Sequence, residues 1–408
     1  MNVSRRRLLQ QASLLALLAP GAQSRLRLAL PQQRQQKPPD NVYTRLGVRP
    51  LINAAGTYTA LSGSLMPPEV RAAMAEASRH YVSIDELQAA VGKRIAELLG
   101  VEAALVTAGA AAAMTLGTAA CITGKDPDKI KRLPDTRGLK NEVIIQKSHR
   151  FPYDHAVRAV GVTLIEVETR QQMEKAINER TAMMLFLNYA DPLGQVKRAE
   201  FVEIGKKAGV PTMLDAAADL PPPSRLSEYT RMGFDLVCFS GGKGLRGPQC
   251  SGLLLGRRDL IEAAYLNGSP HSDSIGRAAK VGKEEIIGLL VALELYLQRD
   301  HQAQWKEWQQ QVAFILQSVA DVPGVTKAEM FVPPIANETP HARIQWDEKV
   351  IPLKQRDVAN RLLEGEPPIA VRPSSEDAPV IEVAVWMLQP GEYQLVARRL
   401  REVLTKGA

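Results

Sequence analysis

The chain has 408 residues, of which 45% are hydrophobic and 23% are charged. This composition is that of a folded globular protein, and the length allows a large hydrophobic core and a second, smaller domain. The formal net charge is +7, but seven basic residues before residue 40, where no acidic residue occurs, account for all of it. The rest of the chain is neutral by count, which argues against a fold that binds nucleic acid.

Cysteine and histidine usage predicts neither a disulfide framework nor a metal site. The three cysteines, Cys121, Cys238 and Cys250, are too few for a set of disulfides, even in an oxidising compartment. Cys121 and Cys238 lie in apolar segments, so we expect them in the core. The spacing of Cys and His residues matches no metal-ligand pattern.

Residues 1–24 are typical of an export signal. Ser4-Arg5-Arg6-Arg7-Leu8-Leu9-Gln10 resembles the twin-arginine motif, and an apolar run from Ala12 to Ala19 follows it. Ala22-Gln23-Ser24 places small residues where a signal peptidase cleaves. The apolar run is shorter than the roughly 20 residues of a spanning helix. We therefore expect export to the periplasm and no stable membrane span after cleavage; a basic tail or a lone anchor is the alternative.

Residues 25–41, rich in Gln, Pro and Arg, are predicted to be a linker, and residues 42–318 a large domain. Short apolar runs alternate there with amphipathic segments, which indicates an α/β fold with a mainly parallel sheet covered on both faces. The seven predicted strands are Ala104–Val106, Glu142–Gln146, Thr163–Glu166, Met183–Leu187, Thr212–Leu214, Leu236–Phe239 and Gly252–Leu255. Predicted helices include Pro67–Ser78, Leu87–Leu99, Ala199–Ala208 and Arg258–Leu266.

Residues 319–408 are predicted to form a smaller α+β domain. A long helical stretch, Lys283 to about Leu316, leads into it. Its predicted strands are Ala342–Trp346, Ile369–Val371 and Val380–Ala384, and its predicted helices are Lys354–Leu363 and Gly391–Leu404. The chain shows no internal repeat.

A stretch of small residues, Thr107 to Met114, follows the first predicted strand and opens an Ala-rich helix. Small residues at a helix N-terminus expose backbone N–H groups, which bind anions such as a phosphate. Gly109 and Ala110 are the candidates. A helix start that is merely well packed would have the same composition, and the segment lacks the Gly-Lys-Ser/Thr ending of a Walker motif.

Asp215 ends the apolar run that begins at Val210, so it is predicted to lie at the carboxyl end of a strand. Open α/β sheets bind their ligands at that end. In a pyridoxal phosphate (PLP) enzyme, such a carboxylate pairs with the pyridine nitrogen and keeps the ring an electron sink. The alternative is a helix-capping role ahead of Ala216-Ala217-Ala218.

Lys243 follows a predicted strand within the segment Ser240-Gly241-Gly242-Lys243-Gly244. A lysine that binds PLP as a Schiff base must be a neutral amine, and a partly desolvated site lowers its pKa. The glycines allow close approach of the backbone to a cofactor, and Ser240 could bind its phosphate. A solvated lysine in a Gly-rich turn is the alternative.

These segments, in this order, resemble fold-type I PLP enzymes, and specifically the family of bacterial selenocysteine synthase (L-seryl-tRNA selenium transferase) and D-glucosaminate-6-phosphate ammonia-lyase. The resemblance runs from about Val42 to the C-terminus and implies a mainly parallel seven-stranded sheet with a smaller C-terminal α+β domain. The segments that carry it are Leu51–Thr57, Ser148–Pro152, Asn188-Tyr189, Leu214–Ala217, Ser240–Lys243 and Gly276–Lys283.

The resemblance also implies roles for individual residues. Lys243 would hold PLP and act as acid and base, and Asp215 would hold the pyridinium. His149 falls where the superfamily stacks a ring on the cofactor, although a surface histidine is the alternative. Asn188 would bond the phenolic oxygen of the cofactor, although an Asn before a turn needs no such role. Gly109, Ala110 and Ser240 would bind the phosphate.

Four further residues are candidates for substrate binding. Arg150, Arg277 and Arg372 could bind a carboxylate or phosphate, because a guanidinium pairs with such groups bidentately. A surface ion pair is the alternative for each. Asn53 lies in a segment that relatives place near the site of a neighbouring subunit, so a homodimer or higher homo-oligomer is expected.

The expected function is a PLP-dependent lyase-type enzyme acting on a small amino acid or amino sugar acid by α,β-elimination. We expect the signal and linker to stand where selenocysteine synthase has a small N-terminal domain. Together with the neutral body and the export signal, this argues against a tRNA substrate. Elimination itself rests on the resemblance. A racemase, an aminotransferase, another transferase, or an exported binding protein that has lost catalysis remain alternatives.

Overall fold

The computed structural model describes residues 41–372 and 378–407. The predicted signal and nearly all of the predicted linker lie outside the described residues. The short helix Val42–Arg45, capped by Asn41, belongs to a unit of its own that ends at Pro50, and the fold below is that of the unit from Leu51 onward. No helix in the described ranges is long and apolar enough to cross a bilayer.

The elements are numbered in chain order. The strands are β1 (Ile52–Ala54), β2 (Ala103–Thr107), β3 (Glu142–Gln146), β4 (Thr163–Val167), β5 (Thr181–Leu187), β6 (Thr212–Asp215), β7 (Leu236–Ser240), β8 (Gly252–Gly256), β9 (Val325–Phe331), β10 (His341–Trp346), β11 (Ile369–Val371) and β12 (Val380–Ala384). The helices are α1 (Val42–Arg45), α2 (Pro68–Ala77), α3 (Ile84–Leu99), α4 (Gly109–Thr123), α5 (Pro127–Arg132), α6 (His155–Arg158), α7 (Arg170–Ala176), α8 (Arg198–Ala208), α9 (Arg225–Met232), α10 (Arg258–Leu266), α11 (Lys283–Gln298), α12 (His301–Val319), α13 (Gln355–Glu364) and α14 (Glu392–Thr405).

The central sheet has seven strands in the order β2-β8-β7-β6-β5-β3-β4. All neighbours are parallel except that β8 runs antiparallel to both β2 and β7. The predicted mainly parallel α/β sheet is therefore confirmed. The carboxyl ends of the parallel strands meet at one edge, and β8 begins at that edge because of its opposite direction.

Both faces of the sheet are buried, which explains why its strands are apolar runs rather than alternating patterns. Ile144 and Leu214 pack in one core with α3, α8, α9 and α11. Val143, Ile145 and Met213 point to the opposite face and pack in a second core with α4 and α10. Helix α4 is buried almost all round, as its Ala-rich sequence requires.

The predicted long helix is interrupted. Helix α11 ends at Gln298, and Asp300 caps the start of α12 by accepting the backbone N–H groups of Gln302 and Ala303 at 3.0 and 2.9 Å. An Asp in this position competes with helix continuation because its side chain bonds the backbone of the next turn.

The C-terminal part has its own hydrophobic core, and segments from elsewhere in the chain contribute to it. Strands β9, β10 and β12 form an antiparallel sheet, and β1 pairs in parallel with β11. Trp308 and Ile315 of α12 and Ile52 of β1 pack in this core. Strand β9 was not predicted, since its Lys327 and Glu329 break the apolar pattern and its residues are only partly buried.

A close approach of Gly252 to α4 allows a test of this arrangement. A Cβ at Gly252 would lie 2.4 Å from the carbonyl carbon of Gly109, a backbone atom that cannot turn away. We expect Gly252→Ala to lower the free energy of unfolding by about 3 kcal/mol, the upper range for overpacking.

The matched control is Gly209→Ala, because Gly209 has φ of +66° and open space around it. That substitution should cost only about 1 kcal/mol of left-handed backbone strain. Urea unfolding of both variants measures the difference, and equal losses would contradict the close packing of β8 on α4.

Candidate active site

The predicted cofactor residues lie along the edge where the parallel strands end. Strand pairing brings Leu187, Asp215 and Cys238 side by side at the ends of β5, β6 and β7. Asn188 follows the first of these residues, and Lys243 lies five residues after the last. The edge is therefore the place where the chain gathers its polar side chains, as expected for an open α/β sheet.

Asp215 is a buried carboxylate with few compensating bonds. It is 6% exposed and accepts the backbone N–H of Ala217 at 2.9 Å. Burial raises its pKa, while the Ala217 bond and the nearby charge of Lys243 act in the opposite direction. The residues after it form a turn, and the next helix begins at Arg225, so the helix-capping alternative is not realised.

Lys243 lies in the turn after β7 and is mostly buried. Burial lowers the pKa of its amine, and the charge of Asp215 opposes the shift. Within the described chain, no hydrogen bond or ion pair to the Lys243 amine is found. A lysine that is desolvated and lacks a counter-ion is the kind that reacts as a neutral amine.

The predicted phosphate residues flank a single glycine. Gly252 at the start of β8 is the partner of Ser240 on one side and of Thr107 on the other. Helix α4 starts at Gly109, next to Thr107, and its N-cap residue Ala108 makes no side-chain cap. The first N–H groups of α4 are therefore free to bind an anion. Because Gly252 has no side chain, the start of α4 can lie close to β8.

His149 is fully buried. Its Nδ1 accepts the N–H of Leu187 at 3.2 Å, its Nε2 lies 3.2 Å from the amide of Gln146, and its edge packs on Phe186. Burial lowers the pKa of the imidazole to about 4, so the ring is neutral. These contacts orient the ring at the end of β5; its stacking on a cofactor stays a prediction.

Asn188 is fully buried and belongs to a polar cluster that includes two residues outside the predicted site. Its Nδ2 donates to Asp219 Oδ2 and lies 2.9 Å from Tyr229 Oη, and the Tyr229 hydroxyl donates to Asp219 Oδ2 at 2.8 Å. Burial raises the pKa of Asp219 to about 7. The charge of Asp219 also raises the pKa of Lys243, so this acid is part of the electrostatics of the site.

The sequence offered one signal for Asp219, which is its place in the same loop, four residues after Asp215. Tyr229 offered none, because it comes from α9 and reaches the loop only through the fold. We predicted neither residue.

Two of the three predicted substrate arginines pair with acids of the protein. Arg150 pairs with the buried Asp154 at 2.6 Å and with the more exposed Glu166. Arg277 is exposed. Arg372 pairs with Glu382 at 3.1 Å in the C-terminal part. Substrate binding by these residues stays a prediction.

Asn53 has a local structural role. Its Oδ1 accepts the N–H groups of Ala55 and Gly56, each at 3.1 Å, and its Nδ2 donates to the Gly56 carbonyl at 2.9 Å. All its polar atoms are therefore used in the turn after β1. Its predicted role near a neighbouring subunit stays untested.

Comparison with known proteins identifies the group to which this geometry belongs. The family described as L-seryl-tRNA selenium transferase matches residues 51–314. The chain belongs to this family. It is 30% identical to D-glucosaminate-6-phosphate ammonia lyase of Salmonella typhimurium, over 90% of this chain and 99% of that protein. It is 31% identical to a 5'-C-glycyluridine monooxygenase-decarboxylase of a Streptomyces species, over 89% and 92%.

Selenium transferases themselves match over a shorter part. The L-seryl-tRNA(Sec) selenium transferase of Moorella thermoacetica is 29% identical, and the match covers 63% of this chain and 57% of that protein. Among solved structures, a D-glucosaminate-6-phosphate ammonia-lyase superposes with a TM-score of 0.78 at 29% identity, covering 90% and 99% of the two chains. A PLP-bound serine palmitoyltransferase, with a TM-score of 0.55 and 14% identity, shows the fold alone.

The chain is thus a fold-type I PLP enzyme of the lyase or transferase type, and its residues fit the cofactor. Lys243 has a desolvated amine for the aldehyde, and Asp215 has a buried carboxylate that lacks a cation. The open start of α4 and Ser240 can bind the phosphate. Asn188 follows β5 at the same edge, and its buried Oδ1 has no hydrogen-bond partner in the described ranges.

Proposed function

We propose that the protein is a PLP-dependent lyase that eliminates ammonia from a small amino acid or amino sugar acid. The observation that carries the proposal is the state of Lys243, a mostly buried amine with a lowered pKa at the same sheet edge as Asp215. The identity to the Salmonella typhimurium ammonia lyase over nearly its whole length supports the type of reaction.

Each residue has a distinct task in this reaction. Bound PLP supplies an electron sink for the carbon that carries the substrate amine. Lys243 Nζ would hold the cofactor, and as a free amine it would take the proton from that carbon. Asp215 would pair with the ring nitrogen and keep it protonated, and this would also give the buried carboxylate the cation it lacks. A hydroxyl or phosphate-bearing group on the adjacent carbon would leave with its bonding electrons and take a proton from Lys243. Water would then hydrolyse the imine form of the unsaturated product, which gives a keto acid and releases the amine as ammonia.

The substrate is proposed to be a small molecule rather than a charged tRNA. The part of the chain beyond residue 39 is neutral by count, whereas proteins that bind nucleic acid concentrate basic residues on the fold. An amino sugar acid fits the name of the ammonia lyase relative. Oxidative decarboxylation is a second candidate, because the Streptomyces monooxygenase-decarboxylase is as similar to this chain in sequence as the ammonia lyase is.

Lys243→Ala tests the core of the proposal. Wild-type protein given PLP should acquire the visible absorbance of a lysine-bound cofactor, and Lys243→Ala should lose it, because the amine that binds the aldehyde is removed. Lys125→Ala is the matched control, since Lys125 pairs with Glu262 on α10; it should keep the band. A wild-type protein that stays colourless contradicts the proposal.

The products distinguish the reactions once the cofactor is bound. Ammonia and a keto acid indicate elimination, whereas inverted stereochemistry indicates racemisation. Carbon dioxide with consumption of oxygen indicates the second candidate. Absence of exchange of substrate α-protons in heavy water, with every amino compound offered, would favour a binding protein without catalysis.

We propose that the enzyme is a homodimer or higher homo-oligomer. Large apolar side chains are exposed beside the site: Tyr189, which follows Asn188, is 59% exposed and Leu193 is 71% exposed. Exposed apolar surface of this kind is typical of subunit interfaces. Light scattering should give a mass of at least two chains. Leu193→Glu should lower this mass. Leu363→Glu is the control, because Leu363 is an exposed leucine on α13, and it should leave the mass unchanged. A monomeric wild type would contradict the proposal.

We also propose that the protein is exported to the periplasm through its twin-arginine segment. Such export carries folded proteins, which suits an enzyme that binds its cofactor in the cytoplasm. Replacing Arg5 and Arg6 together by Lys should leave the protein in the cytoplasmic fraction. Replacing Arg25 and Arg27, which lie beyond the apolar run, by Lys should not prevent export. Cytoplasmic wild-type protein would contradict export.

A further inference from the structure

Asn188, Asp219 and Tyr229 form a buried cluster. Asp219 and Tyr229 have no role in the function proposed so far. Asn188 and Tyr229 are 0% exposed and Asp219 is 3% exposed. Asn188 and Asp219 follow the neighbouring strands β5 and β6, and Tyr229 comes from α9. Three polar side chains this deeply buried are unusual unless their hydrogen bonds serve a purpose.

The bonds within the cluster determine how the Asn188 amide is turned. Asp219 Oδ2 accepts from both Asn188 Nδ2 and the Tyr229 hydroxyl. Because an ionised carboxylate only accepts hydrogen bonds, it holds the NH₂ side of the amide toward itself. Asn188 Oδ1 then points away, and within the described ranges it is buried without a partner.

The cluster lies beside the cofactor residues. Asn188 follows Leu187, which is the strand partner of Asp215. The charge of Asp215 raises the pKa of Asp219, and the charge of Asp219 raises that of Lys243. A change in the protonation of Asp219 is therefore felt at the edge where the cofactor binds.

We propose that Asp219 and Tyr229 are positioning residues that decide which atom of the Asn188 amide meets the cofactor. This inference rests on the proposed function, since it requires PLP at the edge. With Asp219 ionised, Asn188 offers the acceptor Oδ1. With Asp219 protonated, its O–H donates to Oδ1, the amide turns over, and Nδ2 becomes the atom that Asn188 offers.

The two orientations differ in what they do to the cofactor. An ionised phenolic oxygen accepts hydrogen bonds, so it is bound by Nδ2 and repelled by Oδ1. Protonation of Asp219 should therefore tighten cofactor binding, and deprotonation of Asp219 should weaken it. The transition falls near neutral pH because burial raises the pKa of Asp219 to about 7.

Other charged groups around the cluster do not replace Asp219 in this role. Arg198 and Arg225 lie 5.9 Å from the centre of the Tyr229 ring, but each has its own acidic partners. Lys243 also titrates, and Asp219→Asn removes a charge that raises its pKa, so the Tyr229→Phe variant, which keeps that charge, is the check on the contribution of Lys243. The charged and titratable groups that face the cluster are Asp215, Cys238, Lys243, Arg198, Arg225, Glu228 and Glu338.

The test measures the dissociation constant of PLP on the full chain from pH 6 to pH 8. The visible absorbance of the bound cofactor is recorded at each pH. In wild type the constant should rise by about tenfold, the worth of one hydrogen bond to a charged group. Asp219→Asn mimics the protonated acid and offers a donor to Oδ1 at every pH. It should bind PLP at pH 8 nearly as tightly as wild type does at pH 6.

Tyr229→Phe provides an independent check. The Tyr229 hydroxyl bond lowers the pKa of Asp219, so its removal should move the midpoint of the pH transition upward. Tyr296→Phe is the matched control, because Tyr296 is 1% exposed and its hydroxyl has no partner in the described ranges. That variant should titrate like wild type.

The outcomes separate this inference from the proposed function. A wild type that binds no PLP overturns both. A wild type that binds PLP, with Asp219→Asn showing the same pH dependence, overturns only the positioning role. If Asp219→Asn fails to fold, an unchanged midpoint in Tyr229→Phe overturns the role, and an upward shift that Tyr296→Phe lacks supports it.

Discussion

The burial of one carboxylate and one amine at the same sheet edge is the constraint on which the rest of the site depends. Burial raises the pKa of Asp215 and lowers that of Lys243, so both shifts disfavour the charged forms. Neither side chain has an ion-pair partner within the described part of the chain. A ligand with an aldehyde and a basic ring nitrogen meets both needs at once, because it reacts with the neutral amine and gives the carboxylate a cation. The site is therefore selective for such a ligand before any substrate binds.

The topology of the sheet brings these groups together. Parallel strands β5, β6 and β7 deliver Asn188, Asp215 and Lys243 to one edge, and the antiparallel β8 begins at the same edge with Gly252. If β8 were parallel, its end rather than its start would lie there. Because Gly252 has no side chain, the start of α4 approaches β8 closely. The N–H groups of α4 and the hydroxyl of Ser240, on the neighbouring β7, can then face one phosphate.

Much of this could be predicted from the sequence because the signals are local. Each strand of the central sheet is an apolar run, and Lys243 and Asp215 stand out at the ends of such runs. Pairings between distant segments carry no local signal: Ile52 pairs with Ile369 only because both strands pack in the C-terminal core. The break between α11 and α12 depends on Asp300, whose capping role competes with an amphipathic pattern that continues past it.

The hydrogen-bond and ion-pair partners of a site residue are harder to predict from the sequence than the residue itself. An arginine can bind a substrate or a neighbouring acid, and Arg150 and Arg372 have acids beside them in the fold. Asp219 contacts Asn188, which lies 31 residues before it in the chain, and Tyr229, which lies 10 residues after it, and the three side chains meet only in the fold. Relatives of 30% and 31% identity carry the names of different reactions, so residues that hold the cofactor do not by themselves decide the chemistry. Buried titratable groups around it, such as Asp219, are then the place where one fold can acquire different reactions.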